Sequence, residues 1–400
     1  MTGPFYALLV QAAGQLRQQP EQQLELQLEN ISAYRCQRRG ACCRNPWKVD
    51  VSREYFDVWG PALQALSGES EPVMIPYRDI EAAQGAYAWL RKRQTGSGHQ
   101  CVFQAADHSC RVHAELGEAA LPPICRSFPR ETAQAGPQYA NPTLSSACQH
   151  AAAMLDQTSD LLFELKPLGH PGSEADPSQH RARIRLGQER LVDLPEFLPW
   201  LGWMLDQVMD YRLSATTALN QIQALLSFAA MQPELALPAL LAIESGSRGE
   251  IRSEPGQALE LFLALSPFSD PDLERFVRLQ LHTLRLPLAP LSHRQRLQRF
   301  LRHYLLRRLL NLEALSQWPL TLPQYLFLLG FGVLTIQLLL LHYQQGAAGL
   351  PREGLIWAIN HWEAYGIQHP YWIKQVGLGS WPDTYCLEQL QRACGLDLGL

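Results

Sequence analysis

The sequence predicts a mostly α protein, with an irregular cysteine-rich N-terminal region packed on a multi-helix C-terminal domain. Three observations lead there. Apolar residues recur at helical spacing through much of the chain beyond residue 181, and seven of the nine cysteines crowd between Cys36 and Cys148, where regular periodicity is missing. The composition, 46% hydrophobic and 18% charged over 400 residues, suits a protein with a sizeable buried core and excludes general disorder. Lys+Arg number 34 against 38 Asp+Glu, a net charge of -4, so no positive field exists to draw in a polyanion and no nucleic-acid partner is expected.

Taken in order, residues 4–20 read as a short helix with Phe5, Leu8, Leu9 and Leu16 on one face, stopped by Pro20. The N-terminus carries no basic n-region and polar residues interrupt its apolar run, so a cytoplasmic location is expected. Residues 1–165 form the cysteine-rich region: Trp47-Lys-Val-Asp-Val alternates like a strand, Ser52 caps a helix to about Leu66, and the remainder is loop-rich. Three prolines and two glycines in 167–180 mark the linker, placed at 166–180, and 181–400 is the helical domain. Its helices are expected at Phe197–Tyr211, Ser214–Met231, Pro255–Leu265, Asp270–Leu284, His293–Leu310, 323–343 and Glu353–Tyr365. The apolar run Tyr325–Leu341 falls short of the about 20 residues that span a bilayer. With Pro323 at its start and Gln337 inside it, it reads as a buried core helix, a membrane segment being the alternative. The arginines from Arg294 to Arg308 suggest a solvated basic face opposite the stripe Leu297, Phe300, Leu301 and Tyr304.

The chemistry lies in Cys36, the pair Cys42–Cys43, the spaced set Cys101, Cys110 and Cys125, and Cys148. In a reducing compartment close-spaced cysteines are more often metal ligands than disulfides, and adjacent cysteines cannot bridge each other without strain. Both can face one ion or cluster if the chain turns tightly, a freedom that Gly40 supplies. Zinc takes four thiolates or three with an imidazole, for which His99, His108, His113 and His150 are candidates; an iron–sulfur cluster takes four thiolates. Seven exceed either need, so some serve elsewhere or two sites exist. Cys386 and Cys394 read as small buried hydrophobes.

The run Cys101-Val-Phe-Gln through Leu121-Pro-Pro-Ile-Cys-Arg-Ser-Phe-Pro-Arg130 resembles the cysteine-cluster family of zinc- or iron-chelating domains, and more narrowly its flagellin lysine N-methylase branch. The segments Cys42-Cys-Arg-Asn-Pro-Trp47 and Leu144-Ser-Ser-Ala-Cys148 fit the same pattern, as do the helices after 302 more diffusely. Phe128 stands where the pattern has Tyr, Gln149 where it has Pro, and one cysteine of the pattern is missing from 37–41. The resemblance implies that Cys36, Cys42, Cys43, Cys101, Cys110, Cys125 and Cys148 bind an iron–sulfur cluster or zinc, with Trp47, Arg126, Pro129 and Arg130 as the site's framework. It further implies S-adenosylmethionine as cofactor and a lysine-containing protein as substrate. No glycine-rich nucleotide turn is present, Gly377-Leu-Gly-Ser reading as an ordinary turn, nor is the Cys-x3-Cys-x2-Cys loop of radical enzymes. Asp50, Glu54 and Asp107 lie near enough in sequence to orient an amine, though surface carboxylates are the simpler reading. A non-catalytic metal-stapled scaffold and a metal- or redox-handling protein are the alternatives to the methylase.

Overall fold

The computed structural model describes residues 3–28, 31–37, 40, 42–45, 47–77, 85–95, 98–156, 163–168, 183–186, 190–231, 235, 237–244, 291–312, 315, 320–343 and 351–363. The expected helices at Pro255–Leu265 and Asp270–Leu284, the segment 169–180, Gly377-Leu-Gly-Ser, Cys386 and Cys394 lie outside them.

The helices run α1 (Pro4–Gln18), α2 (Arg53–Ser67), α3 (Pro123–Ser127), α4 (Gln149–Ala153), α5 (Leu194–Met209), α6 (Ala215–Met231), α7 (Leu237–Glu244), α8 (Leu291–Leu310), α9 (Leu322–Tyr343) and α10 (Arg352–His361). Their local causes are legible. Ser52 accepts a hydrogen bond from the Tyr55 amide at 3.2 Å, capping α2, and Gly68 ends it in a left-handed conformation at φ 68°. Pro4 and Pro195 occupy first-turn positions where a missing N–H costs nothing.

The class is a correction: among the described residues the fold mixes helices with four sheets and is not mostly α. The largest sheet has four strands, β1 (Gln23–Leu28), β7 (Arg130–Ala135), β8 (Tyr139–Leu144) and β9 (Phe163–Leu168), in the order β7-β8-β1-β9. Here β7 and β8 form a hairpin, β1 joins β8 in parallel, and β9 pairs antiparallel with β1 along its whole length. The physical reason is visible in Gln-Leu-Glu-Leu-Gln-Leu, whose strict alternation buries Leu24, Leu26 and Leu28 on one face. β9 takes in Lys166, Pro167 and Leu168, the first residues of the expected linker. Three short strands, β2 (Asp50–Val51), β3 (Met74–Pro76) and β4 (Ala88–Leu90), make an antiparallel sheet in the order β2-β4-β3. The remaining pairs are β5 (Lys92–Thr95) with β6 (Gly98–Cys101), and β10 (Arg183–Arg185) with β11 (Leu191–Asp193).

Among the described residues two large apolar cores result, beside the small pair Leu320 and Leu328. The larger gathers Leu9 of α1, Leu24 and Leu26 of β1, Tyr139 of β8 and the inner faces of α5 to α10, and so joins side chains on both sides of 166–180. The smaller packs Val49, Val51, Tyr55, Leu63, Leu90, Phe103, Val112 and Leu121. α9 lies within the larger core, with Tyr325, Leu329, Val333, Ile336 and Leu339 fully buried. Among the described residues no helix is long and apolar enough to cross a membrane.

The C-terminal half of the basic face expected on α8 is not solvated. Arg302 is buried and donates to the Val208 and Leu213 carbonyls, Arg296 pairs with Asp156, Arg308 lies 3.7 Å from Glu363, and Arg307 is buried as well. Arg302 and Arg307 satisfy backbone carbonyls that would otherwise be buried without donors, while Arg296 and Arg308 meet carboxylates.

Candidate metal centre

All seven cysteines between 36 and 148 line one cavity of about 260 Å³. They reach it from separate pieces of chain, each shaped by local chemistry. Cys42 and Cys43 sit in a short 3-10 turn entered through Gly40, whose φ is 63°. A side chain there would also lie 2.5 Å from the His108 carbonyl, so both conformation and space require glycine. The Cys43 amide donates back to the Gly40 carbonyl at 3.1 Å, and that carbonyl also accepts from Gln104 Nε2 at 2.9 Å.

Cys101 ends β6 in register with Lys92 of β5. Cys110 returns antiparallel to Gln104 after a turn that His108 takes at φ 68°, and Asp107 accepts from the Ser109 amide at 2.9 Å within it. Cys125 lies in α3, started by Pro123. Cys148 is the residue before α4, and the Tyr34 hydroxyl lies 3.5 Å from its sulfur.

The framework residues surround this ring. Trp47 and Phe128 both line the cavity, with ring centroids 5.8 Å apart. Arg126 donates to the Leu121 carbonyl at 3.3 Å, closing the α3 turn. The Pro129 carbonyl accepts from the Ser145 amide at 2.8 Å, tying the start of β7 to the loop that leads to Cys148. Arg130 donates to the Tyr34 carbonyl at 3.1 Å and stacks over the Tyr34 ring at 5.0 Å. Arg307 of α8 and Asn360 of α10 grip the Leu144–Ala151 segment, so the helical body also positions Cys148.

The chemistry of the lining is soft. It holds thiols, the imidazoles of His108, His113 and His150, and aromatic and aliphatic groups, but no carboxylate among the described residues. His99 instead pairs with Gln94 across the β5–β6 hairpin. Asp50 accepts from the Tyr77 hydroxyl at 2.6 Å, and neither it, Glu54 nor Asp107 lines the cavity. Burial pushes the Cys101 thiol up to about 11, and the packed walls and neighbouring sulfurs push Cys125 up too. Cys42 is pulled down to about 7, first by the hydrogen bond from Cys43, which in turn is held protonated by Cys42. As residues Cys36, Cys42 and Cys125 are partly open to solvent, although the Cys42 and Cys125 thiols are themselves desolvated; Cys101 is buried.

All seven are free cysteines. Among the described residues no three Cys, His, Asp or Glu side chains converge closely enough, as they stand, to hold a metal ion. The sulfurs therefore surround a space without meeting at a point. Tyr34 and Lys92 are among the lining residues that escaped the sequence reading. No periodicity in the sequence marks Lys92; it is the β5–β6 register that sets it opposite Cys101.

Comparison with family models, curated proteins and solved structures finds no match to this chain.

Proposed function

We propose that the chain binds an iron–sulfur cluster in the cysteine-lined cavity, zinc being the alternative occupant. One observation carries the reading: seven free thiols, distant in sequence, line a single apolar-walled cavity with no carboxylate among its described residues. Hard cations such as calcium and magnesium want oxygen ligands, whereas thiolate and imidazole suit iron–sulfur centres and zinc. Size favours the cluster. Four thiolates about 2.3 Å from one zinc lie within about 4 Å of one another, and such convergence is absent among the described residues. A polynuclear cluster spreads its ligand atoms more widely. All seven cysteines are candidate ligands, and Cys148 is the one whose sulfur lies beside the Tyr34 hydroxyl.

On the resemblance of residues 101–130 we carry the reading one step further, to S-adenosylmethionine-dependent methylation of lysine in a protein substrate. The bound cluster supplies a Lewis-acidic or redox-active centre. The chain's own part is to hold it, through thiolates from both sides of the cavity, and to exclude bulk water with Trp47, Phe103 and Phe128. A cytoplasmic location belongs to the same proposal, since a reducing thiol pool keeps these cysteines free.

The test is iron, zinc and acid-labile sulfide analysis with an absorption spectrum, on anaerobically purified wild type and on Cys42→Ser/Cys125→Ser. About four iron and four sulfide per chain, lost in the variant, is the expected result. Zinc alone would replace the cluster by a structural ion, and no metal after reconstitution would overturn the reading. Calorimetry with S-adenosylmethionine and methyl transfer to lysine in cell extract then test the methylase step. Metal retention without either leaves the metal-stapled scaffold.

A further inference from the structure

We propose that Lys92 is a positioning and charge-balancing residue of the metal centre, its ammonium held against the cysteine ring to offset the anionic charge of a bound cluster and to donate a hydrogen bond to its sulfur. The inference rests on the cluster reading above and adds a residue that the cysteine pattern does not contain.

The geometry starts with the strand. Register sets Lys92 of β5 directly opposite Cys101 of β6, and the side chain lines the cavity. Lys92 is the only lysine or arginine among the described lining residues. Its Nζ donates to the Trp47 carbonyl at 2.7 Å and to the Asn45 carbonyl. The acceptors lie one and three residues after the Cys42–Arg44 turn, so the lysine pins the backbone that leads out of the paired cysteines. An ammonium has three donors, and these two carbonyls take two of them. Among the described residues the third has no protein acceptor, and it is available to the cavity that Lys92 lines.

Charge makes the placement informative. Four thiolates on a divalent centre sum to about −2, a charge that low-dielectric walls disfavour. A lysine inside an apolar lining is costly in the same way until an anion joins it. With no carboxylate among the described lining residues, the partner that the ammonium calls for is the thiolate set itself. Net charge and hydrogen bonds to sulfur are the levers that set a cluster's reduction potential, and Lys92 commands both.

The test uses full-length protein reconstituted anaerobically, as wild type, Lys92→Gln and Lys92→Arg. Iron and sulfide content, the midpoint potential and the rate of iron loss to a chelator are measured. Lys92→Gln is expected to hold the cluster at a lower potential and to release iron several-fold faster, while Lys92→Arg stays near wild type. A Lys92→Gln potential and release rate equal to wild type, with iron content equal, overturn the proposal and leave the cluster reading intact. A wild type that takes up no cluster fails the reading itself. Should Lys92→Gln not fold, pulsed EPR of the reduced wild-type cluster with 15N-labelled lysine decides. A lysine nitrogen coupled to the cluster is expected, and its absence overturns the proposal.

Discussion

The Arg307 guanidinium donates to the Ser146 hydroxyl at 3.2 Å, across 161 residues of sequence and two residues before Cys148. The same Nη1 reaches the Leu144 carbonyl at 3.3 Å and the Ala151 carbonyl at 3.2 Å. One buried side chain of α8 thereby grips both ends of the turn that delivers a cysteine to the cavity. The helical body and the cysteine ring are one construction in this respect, and changes in the first should be felt in the second.

Arg307→Ala is therefore expected to free three buried acceptors and to destabilise the protein by about 3–5 kcal/mol, the range for breaking a buried charged contact. Denaturant unfolding measures it. The more telling readout is alkylation of Cys148, followed by mass spectrometry under native conditions. It should accelerate at least several-fold in Arg307→Lys, which keeps the charge but loses the planar fork. An unchanged rate would mean that the segment holds its shape without the arginine.

Tyr34 makes the second prediction. Its hydroxyl lies 3.5 Å from Cys148 Sγ while Arg130 holds both its carbonyl and its ring. Burial, followed by the hydrogen bond to Cys148, raises the Tyr34 hydroxyl's pKa, so the group is a neutral donor beside a sulfur that must become a thiolate to bind metal. Tyr34→Phe should cost about 1 kcal/mol of stability and weaken metal retention by several-fold in a chelator competition. Arg130→Ala should do the same through Tyr34, and the two changes should be less than additive when combined.

Much of this was legible in residues and much was not. α2 was readable because a serine cap, a hydrophobic stripe and a terminal glycine agree, and the cysteines announced themselves by crowding. The Gln23–Leu28 strand was as plainly alternating but sits between a helix and the cysteines, and its partners β8 and β9 lie more than a hundred residues away. Periodicity reports a strand's faces and says nothing of such a partner. The α8 arginines misled for a related reason. Charge argues for solvent until the carbonyls of other elements are placed around it, and that placement is tertiary. Lys92 was invisible for want of both kinds of knowledge: the hairpin register and the position of the turn after Cys43.

Tyr139 offers a prediction in pH. Its buried hydroxyl donates to the Leu310 carbonyl at 2.6 Å, at the C-terminal end of α8. Burial, and then the nearby Tyr325, raise its pKa. In the unfolded chain a tyrosine ionises near about pH 10, whereas in the folded chain it stays protonated, so the folded state binds more protons above that point. Its contribution is complete below pH 10 and is lost as the pH rises beyond it. Tyr139→Phe should lower stability by about 1–3 kcal/mol at neutral pH, leaving the carbonyl unpaired, and should show a shallower fall above pH 10 than wild type in parallel denaturant titrations.

The contact between α1 and α5 yields the last prediction, because two residues of α5 shape it by opposite means. Asp206 accepts hydrogen bonds from the amides of Gly3, Phe5 and Tyr6 at 2.7, 3.0 and 3.1 Å, satisfying donors that the first turn of α1 cannot pair internally. Gly202, one turn earlier, lets the backbones meet: a Cβ there would lie 2.7 Å from the Phe5 carbonyl oxygen and 2.7 Å from Tyr6 Cα. Those are main-chain atoms of a helix and cannot rotate aside, so Gly202→Ala must push α1 outward and with it the amides from Asp206. The expected loss is about 3 kcal/mol, at the upper end of overpacking. Asp206→Asn, which keeps one acceptor oxygen without the charge, should lose about 1–2 kcal/mol. The double variant should cost less than the sum, since the displaced helix has already given up the hydrogen bonds that the aspartate made. Full additivity in a denaturant double-mutant cycle would show that the close approach and the anchor act separately.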